Sequence, residues 1–148
     1  MTVGSLLEQA EQRLRGVSET ARLDAQLLLG ELLSRGRGSL LAYPETIVPA
    51  PVAERYWELV SRRATGEPLA YLLGRRDFYG REFVVDRRVL IPRPETELLI
   101  ERALDLLAGR PTPIILDVGT GSGAIAVTLA AELPGATVIA ADVSGEAL

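Results

Sequence analysis

Ile114-Ile115-Leu116-Asp117-Val118-Gly119-Thr120-Gly121-Ser122-Gly123-Ala124 opens a segment that closes at Thr137-Val138-Ile139-Ala140-Ala141-Asp142. The pattern predicts a strand over 114–118, a glycine loop over 119–123, a helix from Ala124 and a second strand ending at Asp142. Glycines at alternate positions let the backbone turn sharply and approach a ligand, because a Cβ there forbids the required φ/ψ values or collides with it. The helix that follows points its free N–H groups at the same place. Asp142 lies 19 residues after Gly123, about the separation at which an acid on the next strand accepts from both ribose hydroxyls. These residues predict a nucleoside-cofactor pocket.

Gly119-x-Gly121-x-x-Ala124 also satisfies the degenerate dinucleotide fingerprint, so NAD and S-adenosylmethionine compete for this pocket. Asp117 separates them. A dinucleotide loop must hold a doubly charged pyrophosphate, which a carboxylate two residues before the first glycine repels at close range. S-adenosylmethionine has no phosphate and carries a sulfonium and an ammonium, so two acids flanking a neutral loop favour it, while the helix N-terminus takes the methionine carboxylate. The segment resembles the first two motifs of class I methyltransferases, Asp-x-Gly-x-Gly-x-Gly followed by a ribose acid. The candidate cofactor residues are Asp117, Gly119, Thr120, Gly121, Ser122, Gly123 and Asp142.

Composition narrows the chemistry further. With 148 residues, 47% of them hydrophobic, the chain buries a core and is not disordered. No apolar run approaches the length of about 18 residues that a membrane span needs, and Met1 to Ala10 lacks the basic start and apolar stretch of a signal peptide. No membrane association and a cytoplasmic location are expected. Cys, His and Lys are absent. Thiolate and histidine metal sites, Ser–His and Cys–His nucleophiles and lysine phosphate loops are therefore excluded, and no metal is expected. A net charge of −4 provides no global attraction to nucleic acid.

From Val3 to about Thr65 the apolar spacing is helical, through Leu6, Leu7, Ala10 and Leu14, then Ala21 to Leu33, then Tyr56, Trp57, Leu59 and Val60. Gly16, the Arg35-Gly36-Arg37-Gly38 stretch and the prolines 44, 49 and 51 break it into a small bundle. Phe78-Tyr79 and Phe83-Val84-Val85 across Gly80-Arg81 predict a β-hairpin. In Ile91-Pro92-Arg93-Pro94-Glu95-Thr96-Glu97 the prolines hold the chain extended, and Thr96 is placed to cap a helix from Glu97 to about Leu107. The expected organisation is α/β: a helical domain over 1–74, a hairpin linker over 75–92, and a Rossmann-like domain starting over 93–148.

Gly66-Glu67-Pro68-Leu69-Ala70-Tyr71-Leu72-Leu73-Gly74, Phe78-Tyr79-Gly80-x-x-Phe83-x-Val85 and Val89-Leu90-Ile91-Pro92-Arg93-Pro94-Glu95-Thr96-Glu97, with the glycine loop, closely resemble HemK/PrmC-type release factor glutamine methyltransferases. The resemblance covers roughly residues 66 to 142, and the helical start is similar in kind to that family's N-terminal domain. It implies methyl transfer from S-adenosylmethionine to the amide nitrogen of the glutamine in the Gly-Gly-Gln motif of bacterial peptide chain release factors. It also places Arg93, Thr96 and Glu97 beside the active site and has the helical domain help to dock the release factor. A monomer, with no direct nucleic-acid partner, is expected.

An amide nitrogen is a poor nucleophile, because its lone pair is delocalised into the carbonyl; acceptors aimed at its N–H groups must orient it and favour the charge that develops there. The family uses an Asn-Pro-Pro-Tyr motif after a later strand. This chain contains no Asn, and a doubly wound sheet needs more than two strands. The expectation is therefore a truncated chain that is inactive alone, its catalytic residues lying elsewhere. Ser144 looks like the N-cap of a further helix. The alternatives are an Asn-Pro-Pro-Tyr-type enzyme acting on nucleic acid, a nicotinamide-dependent oxidoreductase, and a non-catalytic module that binds a release factor.

Overall fold

Helix α1, Val3–Leu14, starts where Thr2 and Ser5 cap each other, the Ser5 amide donating to Thr2 Oγ1 at 3.3 Å and the Thr2 amide to Ser5 Oγ at 3.1 Å. A computed structural model describes residues 1–148, which fall into two compact units, Met1–Leu73 and Gly74–Leu148. In the first unit α1 turns Val3, Leu6, Ala10 and Leu14 inward at helical spacing. They meet α2, Ala21–Leu33, and α4, Ala50–Ala64, which buries Ala53, Tyr56, Leu59 and Val60. The short α3, Arg37–Ala42, contributes Leu40, and α5, Leu69–Leu73, packs Leu69, Leu72 and Leu73 against the same core. The helical period in the sequence runs only to about Thr65; α5 follows it because Pro68 starts a fresh turn, accepting from the Tyr71 amide at 3.1 Å.

Helix α2 is the centre of this bundle, and its buried face includes Asp24 and Gln26 as well as Ala25, Leu28 and Leu29. Tyr56 is fully buried and its hydroxyl donates to the Ala25 carbonyl at 3.1 Å. Burial pushes that phenol above its ordinary range, so it stays neutral and a donor. The N-terminus is tied down by the segment between α3 and α4: the Val3 amide donates to Thr46 O at 2.9 Å and the Val48 amide to Met1 O at 3.0 Å.

The second unit begins with β1, Arg75–Phe78, paired antiparallel with β2, Arg81–Val84. Its turn is Tyr79-Gly80, one residue earlier than the sequence pattern suggests, with φ of +49° and +70°. Two consecutive positive φ values make the type I′ turn that matches strand twist. Phe78 and Phe83 stack edge to face, 6.1 Å apart, and join Ile100, Ala124 and Leu129 in the core. Helix α6, Glu97–Leu107, supplies Ile100 and is preceded by a 3₁₀ turn at Pro94–Thr96. Thr96 is itself helical, with φ −68° and ψ −20°, so it makes no side-chain cap. The N-cap expectation fails because the 3₁₀ turn runs straight into the helix.

Strand β3, Ile114–Val118, pairs in parallel with β4, Thr137–Ala141, through the crossover helix α7, Ala124–Glu132. One face of this ribbon turns Ile115 and Asp117 inward; on the other Ile114, Leu116 and Val118 are 78%, 61% and 76% exposed. Parallel strands are ordinarily covered on both faces. Residues 145–147 form a turn, closed by the Ala147 amide on Ser144 O at 3.1 Å, where a helix was expected. The return from α7 to β4 is tight: a Cβ on Gly135 would lie 2.2 Å from the Pro111 carbonyl oxygen. Gly135→Ala is expected to cost about 1–3 kcal/mol, because backbone must move to admit the methyl. Urea unfolding followed by fluorescence and circular dichroism checks this, and an unchanged midpoint would refute it.

Candidate functional site

The glycine loop leaves β3 at Val118 and enters α7 at Ala124. Gly119, Gly121 and Gly123 have φ of +80°, +55° and +77°, the region that a side chain disfavours. A Cβ on Gly119 or Gly121 would meet nothing within 4 Å, so these two are glycine for backbone conformation and face open space. Gly123 stands at the N-cap of α7 and no side chain caps that end. The first N–H groups of α7 therefore have no partner inside the helix, leaving a positive end beside the loop.

Two carboxylates brace this loop. Asp117, at the end of β3 and 9% exposed, accepts from the Thr120 hydroxyl at 2.7 Å. Asp142, just past β4, accepts from the Gly121 amide through Oδ2 at 2.8 Å and from the Ser144 amide through Oδ1 at 2.9 Å. The parallel register sets Val118 against Ala141, and the Gly119 and Thr120 amides both donate to Ala141 O, at 2.8 and 3.0 Å. That pairing delivers Asp142 to the loop across 21 residues of sequence. The Ser144 and Gly121 amides hold its carboxyl below the usual carboxylate range, with burial opposing them. An ionised carboxylate still has lone pairs to spare for two further donors, so the pair of bonds does not exhaust it.

Ser122 lines a cavity of about 290 Å³ together with Asp86, Arg88, Val89 and Glu146. Asp86 and Arg88 form an ion pair on its wall, in which Arg88 Nε donates to Asp86 Oδ1 at 2.9 Å. Hydrogen bonding from the Arg88 side chain and amide draws the Asp86 carboxyl down to about 2. Sequence reasoning missed this pair. Nothing in the spacing of Asp86 and Arg88 marks them, and only the path of the chain after the hairpin puts them near Ser122.

The remaining candidates are placed differently. Glu97 faces the hairpin, where its Oε1 accepts from the Tyr79 amide at 2.9 Å and so supports a non-glycine residue at positive φ. Arg93 is exposed and extended, with φ −93° and ψ 143°, and its carbonyl accepts from the Thr96 amide at 3.0 Å. The structure thus brings Asp117, Thr120, Gly121 and Asp142 together and ties Glu97 to Tyr79 instead.

Residues 5–74 match the family described as the PrmC N-terminal domain. Over 148 residues it is 47% identical to a release factor glutamine methyltransferase of Nitratidesulfovibrio vulgaris, covering 99% of this chain and 50% of that protein. It is 46% identical over 149 residues to one from Koribacter versatilis, covering 100% of this chain and 53% of the relative. A Coxiella burnetii protein of the same name is 42% identical over 148 residues, with 100% and 53% covered. The chain spans about half the length of the curated relatives it matches. The matched stretch takes in helices α1 to α5, while the likeness to the relatives continues through the glycine loop and Asp142. No helix is long and apolar enough to cross a membrane.

Proposed function

We propose that the chain carries the partner-docking domain and half of the cofactor site of an enzyme that methylates the glutamine of the Gly-Gly-Gln motif in bacterial peptide chain release factors. The observation that carries this reading is the pair of carboxylates, Asp117 and Asp142, held on a neutral glycine loop with open space above it. Two negative groups beside a phosphate-free cationic cofactor are attractive; beside a pyrophosphate they are repulsive. The names of the relatives favour a release factor over nucleic acid as acceptor.

The residues present suit S-adenosylmethionine, which when bound supplies an electrophilic methyl on its sulfonium. In this reading Asp142 accepts from the ribose hydroxyls with its remaining lone pairs, Asp117 adds negative charge toward the ammonium, and the N-terminus of α7 takes the methionine carboxylate. Gly119, Thr120, Gly121, Ser122 and Gly123 bring backbone close to the ligand. Residues 93–148 are then the start of a Rossmann-like methyltransferase domain, 75–92 its β-hairpin approach and 1–74 the docking domain. Arg93, Thr96 and Glu97 border the active site in this assignment, Glu97 acting through the hairpin turn that it holds. A cytoplasmic monomer completes the proposal.

No Asn is present to accept from the glutamine amide. The 148-residue chain is therefore expected not to turn over, whereas a chimera joining it to the C-terminal half of the Nitratidesulfovibrio relative is expected to methylate a release factor. Mass spectrometry of the Gly-Gly-Gln peptide reads both. Turnover by the chain alone would sink the proposed division of labour. A chimera that binds S-adenosylhomocysteine yet leaves the peptide unmodified would sink the acceptor assignment.

A further inference from the structure

The helical unit has an open cleft of about 630 Å³ between the C-terminal end of α1, the start of α2 and α3, within the ~300–1,000 Å³ usual for ligand clefts. Arg15, Arg22 and Arg37 line it, with Glu11 and Glu19. Their pairing is uneven. Arg15 is neutralised by Glu11 at 2.9 Å, and Arg37 donates through Nε to the uncharged Gln26 Oε1, also at 2.9 Å. Arg22 has no acidic partner.

The start of α2 forms part of the same wall, since Thr20, Ala21, Arg22 and Leu23 all line the cleft. Thr20 would ordinarily cap this helix, but its hydroxyl donates to Asp24 Oδ1 at 2.9 Å, and no side chain caps α2. The amides of Ala21, Arg22 and Leu23 are thereby left for an acceptor outside the helix. Gln26, one turn along, is 2% exposed and also lines the cleft; with Oε1 taken by Arg37, its Nε2 donors have no protein acceptor. Residues bearing three kinds of donor, guanidinium, helix amide and carboxamide, line one space.

We propose that this cleft binds a carboxylate side chain on an acidic segment of a partner protein. Charge decides between carboxylate and polyanion. Three arginines against two glutamates leave one excess positive charge, which a single carboxylate neutralises. A nucleic-acid strand would set further phosphates against Glu11 and Glu19 on a chain of net charge −4. Leu23 and the half-exposed Leu41 on the same walls favour an aliphatic residue next to the acid. The inference stands on the cleft alone and does not depend on the methyl-transfer reading.

The test uses the isotope-labelled 148-residue chain, with acetyl-Leu-Glu-Leu-amide as probe. Saturable nuclear magnetic resonance shifts are expected at the amides of Ala21, Arg22 and Leu23 and at the Gln26 carboxamide. Arg22→Gln and Arg37→Gln are each expected to weaken binding about tenfold, as befits the loss of one charge-assisted bond. Both arginines are exposed, and Arg22→Gln breaks no hydrogen bond or ion pair within the protein, so it keeps the core intact; Arg37→Gln also releases the buried Gln26, so circular dichroism of that variant accompanies its titration. Equal shifts with acetyl-Leu-Gln-Leu-amide would overturn the proposal, as would the absence of saturation at millimolar peptide. Inorganic phosphate binding as tightly as the glutamate peptide would mark a simple anion site and overturn it too.

Discussion

Asp24→Ala is expected to remove about 3–5 kcal/mol from the stability of the helical unit, the usual consequence of deleting one member of a buried ion pair. Asp24 has a side chain 3% exposed and Arg63 one 16% exposed, and Arg63 Nε donates to Asp24 Oδ2 at 2.7 Å. The same carboxylate accepts from the Ser18 hydroxyl at 2.8 Å and from the Thr20 hydroxyl at 2.9 Å. It therefore joins the turn after α1, the start of α2 and the end of α4. Arg63 also donates to Glu67 O at 3.2 Å, which extends the network to the entry of α5. Without Asp24 the largely buried guanidinium loses its carboxylate, and the Ser18 and Thr20 hydroxyls lose an acceptor with it. Against a total stability of about 5–15 kcal/mol for a typical domain, this is a large fraction. Urea unfolding followed by circular dichroism measures it. The double variant Asp24→Ala with Arg63→Met should recover part of the loss, since it leaves no unpaired charge. A loss below about 1 kcal/mol in the single variant would show the network to be no stronger than a surface pair.

Asp142→Asn in the chimera is expected to weaken S-adenosylhomocysteine binding by about a hundredfold or more. The substitution is small in volume but wrong in chemistry. Asp142 accepts from different amides through its two oxygens, Gly121 through one and Ser144 through the other. A carboxamide has one oxygen and turns an N–H₂ group toward the second amide, setting donor against donor. One braced backbone position is lost, and with it the charge that the ribose hydroxyls would meet. Together these amount to about 3 kcal/mol or more. Because the Asp142 carboxyl is held low, its brace is fully present above the ordinary carboxylate range. It is lost as pH falls through the lowered folded value. Calorimetric titration at neutral pH checks the affinity. A change of threefold or less would remove Asp142 from the cofactor site, while leaving Asp117 and the glycine loop to be tested separately.

Much of this was legible because the responsible physics is local. The spacing of Val3, Leu6, Ala10 and Leu14 marks the buried stripe of α1 before any neighbour is known. The alternate glycines at 119, 121 and 123 announce positive φ, which the structure shows at all three. Thr96 misled for an equally local reason, since a capping residue type is also an ordinary member of a 3₁₀ turn. The hairpin shifted by one residue because Glu97 supports Tyr79 at positive φ, so that Tyr79-Gly80 could form the turn.

By itself the sequence determined where most of the helices and strands lie, which loop positions must be glycine, and which chemistries are closed for want of Cys, His and Lys. Tertiary structure alone decided the partners: Asp24 with Arg63, 39 residues away, Asp142 with Gly121, and Glu97 with Tyr79. Backbone preference depends on a residue and its near neighbours, whereas a carboxylate settles on whichever donors the packing of distant elements sets within about 3 Å of it.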